Sequence, residues 1–232
     1  MNYDMLGLER FSNSRWELHK LKRMAPPMST EIELKFQISP SDVEQVPHIE
    51  LLQQLAKEEG EYYLMSWYYD TPHLDLAMRG FSMRIRKKEN ELIQTIKKKN
   101  AEAKDGLHER EEWEYEIPSR EFDLSMVPKD VRNKLSPFLK DLDVLFTTDF
   151  LRKYWLLETS SGCEVEFALD HGEIRAGDQR NMICEVELEL KKGKKEDLLA
   201  LSKQLQARFE LEPSNLSKAA RGYLLYNSGH AA

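Results

Sequence analysis

Glu31-Ile32-Glu33-Leu34-Lys35-Phe36 sets two carboxylates and an amine on one face of a strand, because strand side chains alternate sides. Ile32, Leu34 and Phe36 take the other face. The device returns at Arg84-Ile85-Arg86, through Arg110-Glu111-Glu112-Trp113-Glu114-Tyr115-Glu116, and at Glu185-Val186-Glu187-Leu188-Glu189-Leu190. Carboxylate ranks offer hard oxygen ligands to a divalent cation, and basic pairs offer donors to a polyanion. A single such strand is also what an antiparallel sheet with one wet face produces. Four of them, two acidic and one basic, point further. Like charges at i and i+2 lie roughly 7 Å apart on one face and repel unless something neutralises them.

The elements that must carry these residues follow from pattern. Residues 31–38 form a strand, and Ser39 caps a helix start near Pro40. Helical spacing runs from Ile49 to Glu59, with Gly60 as its stop. Tyr62–Tyr69 is β-rich, Asp70-Thr71-Pro72 is a turn, and Leu74–Met78 makes one helical turn. Phe81–Lys88 and Leu92–Lys99 read as a hairpin around Glu89-Asn90-Glu91, followed by a polar loop and a strand from His108 to Ile117. Two short helices, Met126–Leu135 and Pro137–Leu142, precede strands at Thr148–Glu158, Cys163–Leu169, Gly172–Ala176 and Met182–Leu190. Helices over Lys195–Phe209 and from Asn215 or Ser217 to Leu225 close the pattern. Eight or nine mostly consecutive strands predict an α+β protein with an antiparallel β-barrel, its charged faces turned into a lumen and helices over its apolar outside. An open sheet with its charged face in water, serving protein interaction, is the alternative.

Composition narrows the class. The chain has 232 residues, 32% of them charged, and a net charge of −7. That acidity disfavours nucleic acid as a partner and requires any anionic substrate to meet a local concentration of Lys and Arg. No apolar run reaches the roughly 18 residues of a membrane span, and the first residues lack a signal-peptide core. Cys163 and Cys184 have no metal-ligand spacing and read as core residues, so a cytoplasmic location is expected. For residues 1–27 two readings stay open: an extension ahead of a start at Met28, or a docking helix over Leu8–Lys22. Residues 28–226 form the main domain and 227–232 a tail.

Taken in order, these residues resemble a known family. Glu31-x-Glu33-x-Lys35 is similar to the ExExK signature of the CYTH superfamily, the triphosphate tunnel metalloenzymes. Tyr68-Tyr69-Asp70-Thr71-Pro72, Arg84-x-Arg86, Thr95-x-Lys97, Arg110-x-Glu112-x-Glu114, Asp170, Glu185-x-Glu187 and Lys218 follow in the family's order. The likeness is nearest to its bacterial inorganic triphosphatases, through Ala168-Leu169-Asp170-His171-Gly172-Glu173 and Leu216-Ser217-Lys218-Ala219-Ala220-Arg221-Gly222-Tyr223. Many of those carry a C-terminal helical CHAD domain, which this sequence is expected to lack.

The resemblance implies a closed eight-stranded antiparallel barrel, a triphosphate tunnel with flanking helices, that hydrolyses tripolyphosphate to diphosphate and phosphate. It implies phosphate contacts from Lys35, Arg84, Arg86, Lys97, Arg110, Arg152 and Lys218, with Lys153 excluded if Arg152 points inward. Glu31, Glu33, Glu185, Glu187 and Asp170 would hold Mg2+ or Mn2+, and Glu112, Glu114 and Glu189 are further acidic candidates. Glu31, Glu33, Lys35, Arg84, Arg86 and Glu187 are the expected catalytic set, in a monomer or homodimer. Thiamine or nucleoside triphosphate hydrolysis, ATP cyclisation in the same tunnel, and a non-enzymatic polyphosphate-binding module are the competing functions. Lys98, Lys99, Lys191, Lys192, Lys194 and Lys195 read as solvated charges, Glu109, Glu111 and Glu116 as exterior or at a mouth, and His48, His73, His108 and His171 carry no assigned role. Trp113, Tyr115 and Trp155 read as packing outside the barrel.

Overall fold

A computed structural model describes residues 29–230. The expectations for residues 1–27 and for the end of the tail lie outside the described residues. Nine antiparallel strands form one sheet: β1 Ser29–Gln37, β2 Ala56–Asp70, β3 Phe81–Lys88, β4 Glu91–Lys99, β5 Leu107–Ile117, β6 Asp143–Glu158, β7 Glu164–Ala176, β8 Gln179–Lys192 and the two-residue β9 Glu212–Pro213. The order runs β5-β4-β3-β2-β6-β7-β8-β1, and β1 also pairs with β5, so eight strands close on themselves. β9 only borders the end of β1, at Phe36 and Gln37. The open-sheet alternative is therefore excluded, because a barrel leaves no long free edge and gives the ionic ranks a shared interior.

Helices cover the outside where the strands turn apolar residues outward. α1 Glu50–Leu55 and α4 Lys195–Gln206 set Leu51, Leu52, Leu198, Leu201 and Leu205 against Leu34, Phe36, Val165, Phe167, Val186 and Leu188. α2 Asp75–Met78 and α3 Lys129–Leu135 cover Phe81, Met83, Ile96 and Trp113. The buried Asp70 carboxylate accepts from the backbone N–H groups of Thr71, Leu76 and Ala77, at 2.8, 2.9 and 2.9 Å, and so stops β2 and starts α2. Full burial of each large aliphatic or aromatic side chain in these clusters contributes about 1.5–3 kcal/mol. A third cluster was not legible in the sequence. Leu64, Tyr68, Phe146, Phe150 and Ile174 lie at the same strand parity as the charged ranks, and α5 Lys218–His230 packs Ala219 and Tyr223 on them. One end of the lumen is thus floored with hydrocarbon.

Two glycines depart from the sequence expectation. Gly60 does not stop a helix: α1 ends at Leu55, and Gly60 lies inside β2 opposite Tyr154, whose ring would stand 2.8 Å from an added Cβ. The strands expected at 163–169 and 172–176 are one strand, β7, running through Gly172. A Cβ there would lie 2.2 Å from the Asp149 carbonyl oxygen and 2.5 Å from Phe150 Cα, so the close pass of β6 against β7 requires glycine. β6 itself begins at Asp143, earlier than the expected Thr148. Among the described residues no helix is long and apolar enough to cross a membrane.

Gly172→Ala is expected to destabilise the fold by about 3 kcal/mol, since the obstructing atoms are backbone and cannot swing aside. Gly162→Ala, where nothing lies within 4 Å of the added carbon, carries only its left-handed backbone strain, about 1–2 kcal/mol. Urea unfolding of both variants gives the comparison.

Candidate active site

Strand parity builds the site. On β1, Glu31, Glu33 and Lys35 point into the lumen; their neighbours on β8 are Glu189 beside Glu33 and Glu187 beside Lys35. On β3, Ser82, Arg84, Arg86 and Lys88 share the inward face, and on β4 Ile93, Thr95 and Lys97 do. β5 adds Arg110, Glu112 and Glu114, β6 adds Arg152, β7 adds Glu166 and α5 adds Lys218. Together they line a cavity with about 1090 Å³ of empty volume, including its open mouth. Lys153, one residue on from Arg152, faces out and meets Glu61 at 3.6 Å.

The charges divide into a matched group and an unmatched one. Arg152 makes a two-point contact with Asp170, Nε to Oδ1 at 2.7 Å and Nη2 to Oδ2 at 2.6 Å, and also reaches Glu187. Lys218 bonds Asp170, Glu185 and Glu187, the last at 3.1 Å. Arg221 Nη1 holds the other Glu185 oxygen at 2.9 Å. Lys35 bonds Glu187 and, at 2.7 Å, Glu33. Burial opposes the charge on Glu187, yet Lys218, Lys35 and Arg152 hold it well below the usual carboxylate range. Lys218 is held above its ordinary value by Asp170 and Glu185 against burial. For Glu185 burial wins, and its carboxyl is pushed up.

The remaining charges of the lumen are less evenly matched. Arg86 makes no ion pair among the described residues; its one side-chain hydrogen bond is Nε to Ser66 Oγ at 2.9 Å. Partial burial and the neighbouring Arg84 and Arg152 push the guanidinium down to about 10, a half-buried cation with no carboxylate partner among the described residues. Arg84 has a buried Nε with no acceptor and meets Glu114 only at 3.5 Å. The rings beneath are apolar: Arg86, Arg152 and Lys218 lie 5.6, 5.9 and 4.9 Å from the centroid of Phe150. On the acidic side, Glu33 is 3% exposed and its Oε1 accepts no hydrogen bond. Glu189, beside it, is pushed up to about 7 by burial and by Glu31 and Glu166, against the pull of Lys191. Burial would raise Glu31 too, but Lys97, whose Nζ is 2.6 Å away, brings it down to about 2. Glu112 is pushed up by burial and by Glu31, and Glu114 is brought down by Arg84 and its Thr95 bond.

Asp170, Glu185 and Glu187 each offer an oxygen within 4.8 Å of the others, a buried acidic cluster able to hold a metal ion. Asp170 and Glu185 do not line the cavity, however, and their oxygens already accept from Lys218, Arg152 and Arg221. Glu31, Glu33, Glu187 and Glu189 do line it. Three features escape the sequence reading. Lys191 is exposed, as expected of a solvated charge, but it also lines the cavity, bonded to Glu189 at 2.8 Å and near Glu166 at 3.5 Å. Glu166 and Lys88 join the lining as well. Alternation held the signal for all three: Lys191 continues the rank of 185, 187 and 189, Lys88 that of 84 and 86, and Glu166 precedes Asp170 by four. His108, given no role, is buried and hydrogen-bonded. Glu111 and Glu109 face outward to Lys98 and Lys195, and Trp113 and Trp155 pack outside the barrel.

The profile of the CYTH domain family matches residues 29–223. An inorganic triphosphatase of Haemophilus influenzae is 38% identical over 207 residues, covering 85% of this chain and 55% of the relative. The chain therefore spans about half the length of that curated relative. Among solved structures, a candidate adenylyl cyclase from Hippeastrum with a dominant triphosphatase activity superposes with a TM-score of 0.55 at 19% identity, covering 86% of this chain and 96% of its own. A candidate adenylate cyclase from Bacillus halodurans does so with 0.55 at 20% identity, covering 84% and 98%. At such identities the likeness is one of fold.

Because the folded value of Glu189 lies above that of a free glutamate, the folded protein keeps a proton that the unfolded chain has released across this window, and stability falls as pH rises from about 4.5 to 7. In chelator, Glu189→Gln is expected to exceed the parent in stability by about 1–2 kcal/mol near pH 8 and to match it near pH 4, by denaturant unfolding.

Proposed function

The chain belongs to the CYTH domain family, and on that footing we propose that it hydrolyses inorganic triphosphate to diphosphate and phosphate in its lumen, with Mg2+ or Mn2+ as cofactor. The observation that carries this reading is the pairing of opposite deficits in one cavity. Among the described residues Arg86 pairs with no carboxylate and the Arg84 Nε donates to nothing, while Glu33 Oε1 accepts no hydrogen bond. A magnesium–triphosphate pair supplies both. An apolar ligand supplies neither.

Arg84, Arg86 and Lys88 on β3, with Lys97 and Arg110 across from them, bind phosphate oxygens, the guanidinium groups in two-point fashion. Lys35, Arg152 and Lys218 stand between the two regions, where each can exchange a carboxylate partner for a phosphate oxygen. Glu31, Glu33, Glu187 and Glu189 would hold the divalent ion, their hard oxygens and the orphaned Oε1 fitting that role. When bound, the ion neutralises phosphate charge and orients the attacking water. Asp170 and Glu185 anchor Lys218 and so fix the start of α5 at the lumen wall. Glu114 and Glu112 hold Arg84 and Lys97 in place. Water oxygen adds to a terminal phosphorus as the bond to the bridging oxygen breaks. A carboxylate of the lumen would take the proton the water releases. Since bond-making is loose in phosphoryl transfer, most of the acceleration comes from holding the chain and its charge.

Phosphate release from tripolyphosphate is expected only with Mg2+ or Mn2+, and Glu33→Gln or Arg86→Ala is expected to lower kcat/KM at least about 100-fold. A panel that includes ATP and thiamine triphosphate should rank them below tripolyphosphate. Equal turnover in chelator and in metal, or cyclic AMP as the product from ATP, would overturn the assignment.

A further inference from the structure

We propose that His108 is a positioning residue that holds the Arg110 guanidinium off Glu33 and aims it into the lumen; this rests on the triphosphate reading above. The ring is 4% exposed and both of its nitrogens are engaged. Nε2 lies 3.0 Å from the Ser214 carbonyl oxygen, and Nδ1 lies 2.6 Å from Arg110 Nη2. A carbonyl accepts only and a guanidinium donates only. Both contacts are therefore satisfied by one species, the neutral ring with its hydrogen on Nε2. Burial, and then the adjacent Lys35, push the ring below the ordinary histidine value, in keeping with that species.

The consequence lies at the next strand. In the β1–β5 register Arg110 faces Glu31 and His108 faces Glu33, so a long guanidinium has two carboxylates within reach. Unrestrained, it would close onto one of them in a two-point pair. It does not: Arg110 Nη2 stops 3.8 Å from Glu33 Oε1, beyond hydrogen-bond range, and Oε1 is left without a donor. Among the described residues His108 supplies the only side-chain hydrogen bond that Arg110 makes. The histidine thus keeps the arginine from closing onto Glu33 and leaves one carboxylate oxygen without a hydrogen bond. Its other end is rigid. Ser214 N–H donates to the Lys35 carbonyl at 2.9 Å, which pins the segment just before α5 to β1.

The test separates the two ends of the ring. His108→Gln keeps a donor near the Nε2 position and lacks an acceptor at Nδ1; His108→Asn keeps an acceptor near Nδ1. With Mg2+ present, His108→Gln is expected to raise the tripolyphosphate KM, and the calorimetric Kd of its non-hydrolysable imido analogue, about tenfold, the loss of one hydrogen bond to a charged group. Its kcat should change less than about twofold, and His108→Asn should recover most of the affinity. In an Arg110→Ala background the His108→Gln effect should vanish, since the residue acts through Arg110. Equal losses in both backgrounds, or equal losses for Gln and Asn, would overturn the assignment. A parent protein that binds tripolyphosphate without cleaving it would defeat the hydrolytic reading while leaving the calorimetric comparison intact.

Discussion

Charge placed inside a closed barrel must be neutralised there, and this constraint organises the molecule. Each buried ion loses hydration worth several kcal/mol, which a partner must offset. Around Asp170, Glu185 and Glu187 the offset is internal: Lys35, Arg152, Lys218 and Arg221 provide it. Across the lumen it is not, since Arg86 sees only a serine hydroxyl and Glu33 Oε1 sees no donor. Proteins hold such unsatisfied charges where surrounding structure over-determines them. Here eight paired strands, helices over the outside and a hydrocarbon floor at Phe146 and Phe150 do so.

The internal cluster has a second effect. Lys218 is the first residue of α5, and Arg221 lies one turn on. Both are tied to strand carboxylates, so the helix start is held by the same ions that line the wall. Gly222 lets the helix approach Phe146 closely, with an added Cβ only 2.1 Å from its ring. Site electrostatics and closure of the lumen end are thus a single packing arrangement.

Much of this was legible in the chain because strand parity is strict. Glu31, Glu33 and Lys35 share a face whatever the rest of the fold does. The same parity would have added Lys88 and Glu166 and moved Lys191 from the solvated charges to the lining, since each continues a rank by two or four residues. Barrel closure follows from consecutive strands, though the β1–β5 seam joins residues some 80 positions apart, such as Glu31 and Arg110, and no local pattern marks it. Gly60 and Gly172 misled because a glycine that admits a neighbouring ring or backbone looks, in sequence, like one that ends an element. His108 carries no spacing signal at all, since its partners, Ser214 and Arg110, come from the fold. The tether that joins Asp170 and Glu185 likewise depends on where Lys218 arrives, late in the chain.

The central claim is that the unmatched walls take a divalent ion and a polyphosphate together. Crystals grown with Mn2+ and a non-hydrolysable imido analogue of tripolyphosphate, measured at the manganese absorption edge, test it most directly. An anomalous peak beside Glu33, with Glu31, Glu187 or Glu189 as further ligands and phosphorus density against Arg84 and Arg86, is the predicted result. Manganese on the outer surface, or within the Asp170–Glu185 pair with Lys218 displaced, would contradict the account.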